Sequence, residues 1–266
     1  MMRLTIAHSP DSDDAYMMAP LALGWLDPDG FEFEFVRKDI ETLNQEALEA
    51  RYEVTAISFG VYPELRDSYE LLTAGSSIQE GTGPMVVTRQ PMTAEELRSV
   101  TVAIPGLRTS AYLTLQRWLP GLQIALVPFD QILEAVAEGR FQAGLLIHES
   151  QLMYRQRGLH LLVDLGAWWK QEFDLPLPMG GNAIRKDLTE ELRQRFARLM
   201  RRSVELARAR HWESIDYAQS FGRGMDRAMV SRYVQGWVNE FTVDPGLRGR
   251  EAVKQLLGLE PEWRQG

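Results

Sequence analysis

The sequence predicts an α/β protein of two lobes with a helical tail at its C-terminal end. Short apolar runs of strand length alternate with helical patterns in two blocks, at about residues 1–88 and 89–180. From Leu188 onwards, apolar residues recur at helical spacing, which predicts helices at about 188–208, 213–220, 226–240 and 248–257. A chain of 266 residues with 45% hydrophobic content can form two cores of this kind.

The first block is predicted from apolar runs and from one clear alternation. Phe31, Phe33 and Phe35 alternate with acidic residues, which is typical of a half-buried strand. An apolar helical segment after the first strand stops at Gly24. The predicted elements are strands at 4–7, 31–36, 54–58, 70–74 and 85–88, and helices at 15–23, 40–49 and 61–66.

The second block repeats the same alternation. A strand at 100–104 leads through a Pro-Gly turn to a helix that begins at Thr109 or Ser110. Further strands are predicted at 124–127, 143–147 and 161–164, and a further helix at 131–137. The Pro/Gly-rich stretch 175–181 is predicted to break the pattern. Strands that alternate with helices favour largely parallel sheets.

The helical tail contains too few strand patterns to form a third α/β domain, so we expect it to pack on the first block. Lobe one then contains residues 1–88 and 182–266, and lobe two contains residues 89–181. The chain would cross between lobes twice, near Thr88–Arg89 and near Gly180–Ala183. Two crossings are typical of a hinged protein with a central cleft.

Composition excludes several classes of function. A net charge of −8 disfavours binding to nucleic acid, although a pocket can still hold a small anion. The absence of cysteine excludes disulfides, thiolate catalysis and cysteine-bound metals. No apolar run is long enough to span a membrane, and the first nine residues are too short and polar for a signal peptide. We therefore expect a cytoplasmic protein.

Polar side chains follow several predicted strands, at the sheet edge where α/β proteins bind ligands. These are Ser9 with its acidic loop, Ser58, the pair Thr109-Ser110, and His148. The N-terminus of the helix at Thr109-Ser110 would suit a carboxylate, although these residues are also ordinary N-caps. An imidazole held directly after a buried strand would suit a general base, although a histidine that only bonds neighbouring backbone is the alternative.

The remaining candidates favour structural roles. His8 is expected to pack or hydrogen-bond, and His160 and His211 to face solvent. The loop 11–14 lacks the spacing of a calcium loop, so we expect Asp13 or Asp14 to cap a helix and predict no metal site. Trp168-Trp169 could stack on a flat ligand, but core or interface packing is favoured.

Several segments together resemble the 1,4-dihydroxy-6-naphthoate synthase family of the futalosine route to menaquinone. Their order and spacing match over nearly the whole chain. The most specific segments are Gly144-Leu145-Leu146-Ile147-His148-Glu149-Ser150 and Val163-Asp164-Leu165-Gly166-Ala167-Trp168-Trp169. The others are 39–44 (DIETLN), 56–59 (AISF), 83–87 (GPMVV), 105–112 (PGLRTSAY) and 175–178 (LPLP).

The resemblance implies a type II periplasmic-binding-protein-like fold and an enzyme without a cofactor. The implied reaction converts cyclic dehypoxanthinyl futalosine, a small carboxylate, into 1,4-dihydroxy-6-naphthoate and a three-carbon fragment. By position, His148 is the implied general base. Ser58, Ser110 and Ala111 match the family's substrate-contacting positions, and Ser9 falls in the matching first loop. Ala56 and Thr109, which lie beside these positions, are also expected to bind the substrate. The first loop and Ala56 depart from the family's usual residues, so either the substrate carboxylate is held differently or the substrate itself is altered.

Two alternatives stay open. A solute-binding protein of the same fold would bind a small carboxylate without chemistry. A chorismate dehydratase would share the fold but eliminate water, and the Leu-Gly-Ala-Trp-Trp segment argues against it. Aromatic residues of the tail, such as Tyr233 and Trp237, could serve a homodimer interface or be buried inside lobe one.

Overall fold

The computed structural model describes residues 2–266 and divides the chain into two compact units. The first unit contains residues 2–78 and Pro178–Gly266, and the second contains Gln79–Leu177. The first boundary lies earlier than the crossing expected near Thr88–Arg89. The reason is that the strand Met85–Thr88 pairs with strands of the second unit.

The strands and helices follow one another along the chain with short connections. The strands are β1 (Met2–His8), β2 (Phe31–Arg37), β3 (Val54–Ser58), β4 (Tyr69–Leu72), β5 (Ser77–Gln79), β6 (Met85–Thr88), β7 (Thr101–Ile104), β8 (Gln123–Leu126), β9 (Ala143–Leu146), β10 (His160–Asp164), β11 (Leu177–Arg185) and β12 (Trp263–Arg264). The helices are α1 (Ser12–Ala22), α2 (Ile40–Leu48), α3 (Tyr62–Leu65), α4 (Ala94–Leu97), α5 (Ser110–Trp118), α6 (Phe129–Ala137), α7 (Leu165–Phe173), α8 (Glu190–Ala209), α9 (His211–Ala218), α10 (Arg227–Trp237), α11 (Glu240–Val243) and α12 (Gly246–Leu257).

The sheet of the first unit has the strand order β12-β4-β11-β3-β1-β2, and β5 also pairs with β11. β1 is parallel to both β2 and β3. β11 is antiparallel to β3 and β4, so the sheet is mixed rather than largely parallel. The expected parallel pairing is therefore correct for β1, β2 and β3 and wrong for β11.

Strand β11 corrects the prediction that residues 175–181 only break the pattern. The strand includes Gly180 and Gly181. A Cβ at Gly180 would lie 2.7 Å from the carbonyl oxygen of Ile57 on β3. The missing side chain therefore permits a close approach of two backbones, which is a recognised role of glycine inside strands.

The helical tail belongs to the first unit, as expected. Its main core contains apolar side chains of α1, α8, α9 and α10 together with β1, β2 and β4. The hydroxyl of Ser203 on α8 donates to the carbonyl of Met17 on α1 at 2.7 Å, which ties the two buried helices together. Tyr233 and Trp237 are buried in this core, so packing inside the unit accounts for both aromatic side chains.

The sheet of the second unit has the order β10-β6-β9-β7-β8. β7 is parallel to β8 and β9, whereas β6 is antiparallel to β9 and β10. This sheet is also mixed. Across residues 2–266, no helix is both long and apolar enough to cross a bilayer.

Candidate active site

The predicted site residues fall into two groups, each at the carboxyl edge of one sheet. In the first unit, Ser9 follows β1 and Ser58 ends β3, and these strands are parallel neighbours. In the second unit, Thr109 precedes α5, which follows β7, and His148 follows β9, the parallel neighbour of β7. Ligands of α/β proteins bind at such edges, so both groups are placed for binding.

His148 is held in an uncommon backbone conformation. Its φ angle is 54°, in the left-handed region that residues other than glycine seldom occupy. The residue opens a short 3-10 helix, His148–Leu152, directly after the buried strand β9. The hydroxyl of Ser150 bonds the carbonyl of Ile147 at 2.6 Å and stabilises this turn. Such strain is found at functional sites, where the surrounding structure enforces it.

The imidazole of His148 is half-buried and has an aromatic neighbour. Its ring lies edge-on to the ring of Phe129, the first residue of α6, with the centroids 5.0 Å apart and the planes at 69°. Edge-to-face contacts of this kind restrict ring rotation. The imidazole is therefore oriented by a side chain that the sequence did not single out.

Thr109 is the N-cap of α5, as the sequence predicted. Its hydroxyl accepts from the amide of Tyr112 at 3.1 Å and donates to the carbonyl of Gly106 at 2.9 Å. The hydroxyl proton is therefore used within the cap. Ala111 is the second residue of α5, and the amide that Thr109 caps is the following one, that of Tyr112. Helix geometry thus offers a ligand the backbone N–H of Ala111 and the positive end of the helix dipole.

The side chain of Asn44 forms hydrogen bonds with both the backbone and the hydroxyl of Ser58. Its backbone N–H donates to Oδ1 of Asn44 at 2.8 Å, and its Oγ accepts from Nδ2 of Asn44 at 3.0 Å. Both residues are buried. Ala56, two positions earlier on β3, lies opposite Asn182 of β11 and offers a ligand only a methyl group or backbone.

Ser9 lies in a buried polar loop. Its backbone N–H donates to Oδ2 of Asp14 at 2.8 Å, and its carbonyl accepts from Nδ1 of His8 at 2.9 Å. Its hydroxyl is buried and has no hydrogen-bond partner among residues 2–266. The loop thus presents one buried hydroxyl group that is not used by the described part of the chain.

The acidic loop corrects the expectation that Asp13 or Asp14 caps a helix. Asp11 is the N-cap of α1 and accepts from the amide of Asp14 at 3.1 Å. Asp14 accepts instead from Ser9, and burial, with the nearby charge of Asp11, raises its pKa well above 3.8. A raised pKa favours the uncharged carboxyl, which reduces repulsion of an anion near Ser9.

The other sequence candidates have structural roles. His8 is fully buried, and this burial lowers its pKa. His160 is exposed as expected, but the expectation for His211 is wrong. His211 is half-buried and bonds the hydroxyls of Tyr16 at 3.0 Å and Ser231 at 2.9 Å. Of the tryptophan pair, Trp169 is fully buried and packs on Phe173, so the favoured core role holds for it.

Sequence reasoning missed Asn44 and Phe129 as site residues. Asn44 could have been noticed because it is a polar residue on the buried face of α2, beside Leu43 and Ala47. Phe129 carries no comparable signal, since an aromatic residue at a helix start is common and its contact with His148 is tertiary.

Comparisons with known proteins fit this arrangement. A family model described as menaquinone biosynthesis matches residues 4–262 of the chain. The chain belongs to this menaquinone biosynthesis family. A protein named 1,4-dihydroxy-6-naphtoate synthase from Thermus thermophilus is 38% identical over 257 residues, covering 97% of this chain and 93% of that protein. The Streptomyces coelicolor protein of the same name is 34% identical over 260 residues, covering 96% and 91%.

These relatives identify the chain as an enzyme of menaquinone biosynthesis. A crystal structure of an Archaeoglobus fulgidus protein has a TM-score of 0.91 at 40% identity and covers 96% of this chain and 95% of that one. The ligand-binding component of an ABC-type import system from Staphylococcus aureus has a TM-score of 0.71 at 15% identity, covering 99% and 94%. The second likeness concerns the fold alone and confirms the predicted periplasmic-binding-protein-like class.

Proposed function

We propose that this protein is a carbon–carbon lyase that converts cyclic dehypoxanthinyl futalosine to 1,4-dihydroxy-6-naphthoate and a three-carbon fragment. The substrate binds in a cleft between the two lobes, and His148 removes a proton from it. The single observation that carries the proposal is the half-buried imidazole of His148, held at a left-handed backbone position after β9. The names of two relatives, 1,4-dihydroxy-6-naphtoate synthase, support the naphthoate product.

His148 has the properties required of a general base. Histidine exchanges protons near neutral pH, and its ring here is oriented by Phe129 rather than free to rotate. Removal of a proton by His148 starts the carbon–carbon cleavage, and the gain in aromaticity of the bicyclic product drives the reaction forward. Closure of the lobes over the substrate excludes water from this step.

Donors from both units support recognition of a carboxylate. In the second unit, the N-terminus of α5 supplies the Ala111 amide and a partial positive charge. In the first unit, Ser58 and Ser9 supply hydroxyl groups. Thr109 contributes by capping the helix, since its proton is donated to Gly106. Ser110 contributes as the first residue of the same helix turn.

The reaction is tested by incubating the purified protein with cyclic dehypoxanthinyl futalosine and recording the absorbance and mass of the naphthoate product. We expect catalytic formation of 1,4-dihydroxy-6-naphthoate without an added cofactor. Chorismate is the parallel substrate, and its conversion to an enolpyruvyl benzoate would assign the dehydratase activity instead. Saturable binding of the futalosine derivative with no turnover at high protein concentration would indicate that the protein is a solute-binding protein and not an enzyme for this substrate.

A further inference from the structure

The side chain of Asn44 makes two hydrogen bonds with Ser58. Its Oδ1 accepts from the backbone N–H of Ser58 at 2.8 Å, and its Nδ2 donates to the Oγ of Ser58 at 3.0 Å. Asn44 is completely buried on α2, whose other buried residues include Leu43 and Ala47. A polar side chain in such a position is costly to bury unless its hydrogen bonds are satisfied.

The backbone contact decides which way the amide of Asn44 faces. A backbone N–H can only donate, so the atom opposite Ser58 N must be the amide oxygen. The NH₂ group then faces Oγ of Ser58 and can only donate to it. The hydroxyl of Ser58 is thereby an acceptor toward Asn44, and its own proton must point elsewhere.

The hydrogen bonds of Ser58 within residues 2–266 leave that proton available to a ligand, since its hydroxyl accepts from Asn44 and donates to no described group. Ser58 stands at the N-cap position of a short 3-10 helix, Phe59–Val61, where the serine oxygen usually accepts from a helix amide. Its side chain makes no such capping bond, so the helix does not orient the hydroxyl. The hydroxyl is instead held at the carboxyl end of β3 by Asn44.

We propose that Asn44 is a positioning residue that fixes Ser58 as a hydrogen-bond donor to an unprotonated oxygen of the substrate, such as a carboxylate oxygen. The inference rests on the proposed function in that Ser58 contacts substrate. It adds a preference: because the Ser58 proton is directed away from Asn44, a ligand oxygen that accepts this proton is favoured at Ser58. Charge-assisted O–H···O⁻ bonds are stronger than neutral ones, so this preference is largest for an anionic oxygen.

The kinetic test uses Asn44→Asp, Ser58→Ala and the double variant. A carboxylate at position 44 still accepts from the Ser58 amide, but it also accepts the Ser58 hydroxyl proton and so removes it from the substrate. We expect Asn44→Asp and Ser58→Ala each to raise KM about 10- to 100-fold, with kcat within about threefold. The double variant should be no worse than the poorer single variant, because both changes remove the same donor.

A merely structural role predicts a different outcome. The effects of the two changes would then multiply in the double variant, or they would appear as a lower Tm with an unaltered KM, and either result would overturn the inference. Gln45→Glu is the matched control, since it makes the same amide-to-carboxyl change at an exposed position of α2. Its kinetic constants should equal those of the wild type.

A neutron diffraction map of deuterated wild-type protein tests the proton arrangement independently of activity. We expect Nδ2 deuterons of Asn44 directed at Oγ of Ser58 and the Oγ deuteron directed away from Asn44. A deuteron between Oγ and Asn44 that belongs to Ser58 would contradict the inference, whatever the enzyme turns over. Absence of naphthoate formation by the wild type would instead count against the proposed function alone.

Discussion

The ring of Phe129 lies edge-on to the imidazole of His148, with centroids 5.0 Å apart. The two residues belong to different elements, and each stands at the point where its element begins. Phe129 opens α6, and His148 opens the 3-10 turn after β9. The contact therefore links a helix start to the candidate base within the second unit.

Phe129→Leu should lower kcat about tenfold while changing KM little, because a misdirected base loses its alignment with the substrate proton. Steady-state kinetics with the futalosine derivative measures both constants. Leu126→Ala is the matched control, since it removes an exposed apolar side chain, 61% accessible, from the neighbouring strand β8. Equal kcat values for Phe129→Leu and the control would show that the ring contact does not orient His148.

His8→Asn should weaken the dependence of stability on pH. Burial lowers the pKa of His8 below 6.5, with Arg37 acting in the same direction and the bond to Ser9 and the charge of Asp11 opposing it. The unfolded chain therefore takes up the proton first as pH falls. The contribution of neutral His8 is complete above pH 6.5 and is lost progressively below it.

The measurement compares Tm at pH 7.5 and pH 5.5 for the wild type and His8→Asn. Asparagine can keep the donor to the Ser9 carbonyl but cannot take up a proton. The decrease in Tm on acidification should be smaller in the variant, whereas His160→Asn, which alters an exposed histidine, should behave as the wild type. An equal decrease in His8→Asn and wild type would refute the assigned role of His8.

Glu70→Gln should destabilise the first unit by about 3 kcal/mol, because a buried charge pair loses one partner. Glu70 of β4 is buried and accepts from Arg264 at 2.8 and 3.0 Å and from Arg193 at 2.8 Å. These bonds join β4, β12 and α8, so their loss also loosens the C-terminal strand.

Urea unfolding provides the free energies, and Glu34→Gln provides the comparison. The Arg3–Glu34 pair is 70% and 47% exposed, so breaking it should cost less than about 1 kcal/mol. Similar losses for the two variants would mean that the buried cluster contributes no more than a surface ion pair.

Gly166→Ala should lower the stability of the second unit by at least about 3 kcal/mol, because the added methyl meets backbone that cannot move aside. A Cβ at Gly166 would lie 2.0 Å from the carbonyl carbon of Thr82. The start of α7 is also pinned there, since Asp164 accepts from the amide of Gly166 at 2.9 Å and from the hydroxyl of Thr82 at 2.7 Å. Thermal unfolding measures the Tm of Gly166→Ala. The control is Ala167→Ser, which changes the exposed residue next to Gly166. A Tm of Gly166→Ala equal to that of the control would contradict the close approach of Gly166 to Thr82.

Local patterns predicted the elements whose signals are strong and self-contained. The apolar run 54–58 corresponds to β3, and the turn with Thr109 corresponds to the start of α5. The same patterns did not show that 85–88 joins the second sheet, because a short run with three apolar residues specifies a strand but not its partner. Strand β11 was missed because Gly180 and Gly181 look like a turn until the backbone they approach is known.

The candidate site was predictable to the extent that it depends on strand ends. Ser9 and His148 follow strands and Ser58 ends one, and the general rule for α/β sheets identified all three. The left-handed φ of His148 and the two bonds between Asn44 and Ser58 arise from tertiary structure, so sequence spacing gives no direct sign of them.

The most direct test of the assignment of His148 is single-turnover kinetics of His148→Asn with cyclic dehypoxanthinyl futalosine, together with its Kd from calorimetry. Asparagine tolerates the left-handed backbone at this position, so the turn after β9 should be retained. We expect the rate of product formation to fall about 10²–10⁴-fold while the Kd stays within about threefold of the wild-type value. A variant that keeps more than about a tenth of the wild-type rate would show that His148 is not the base.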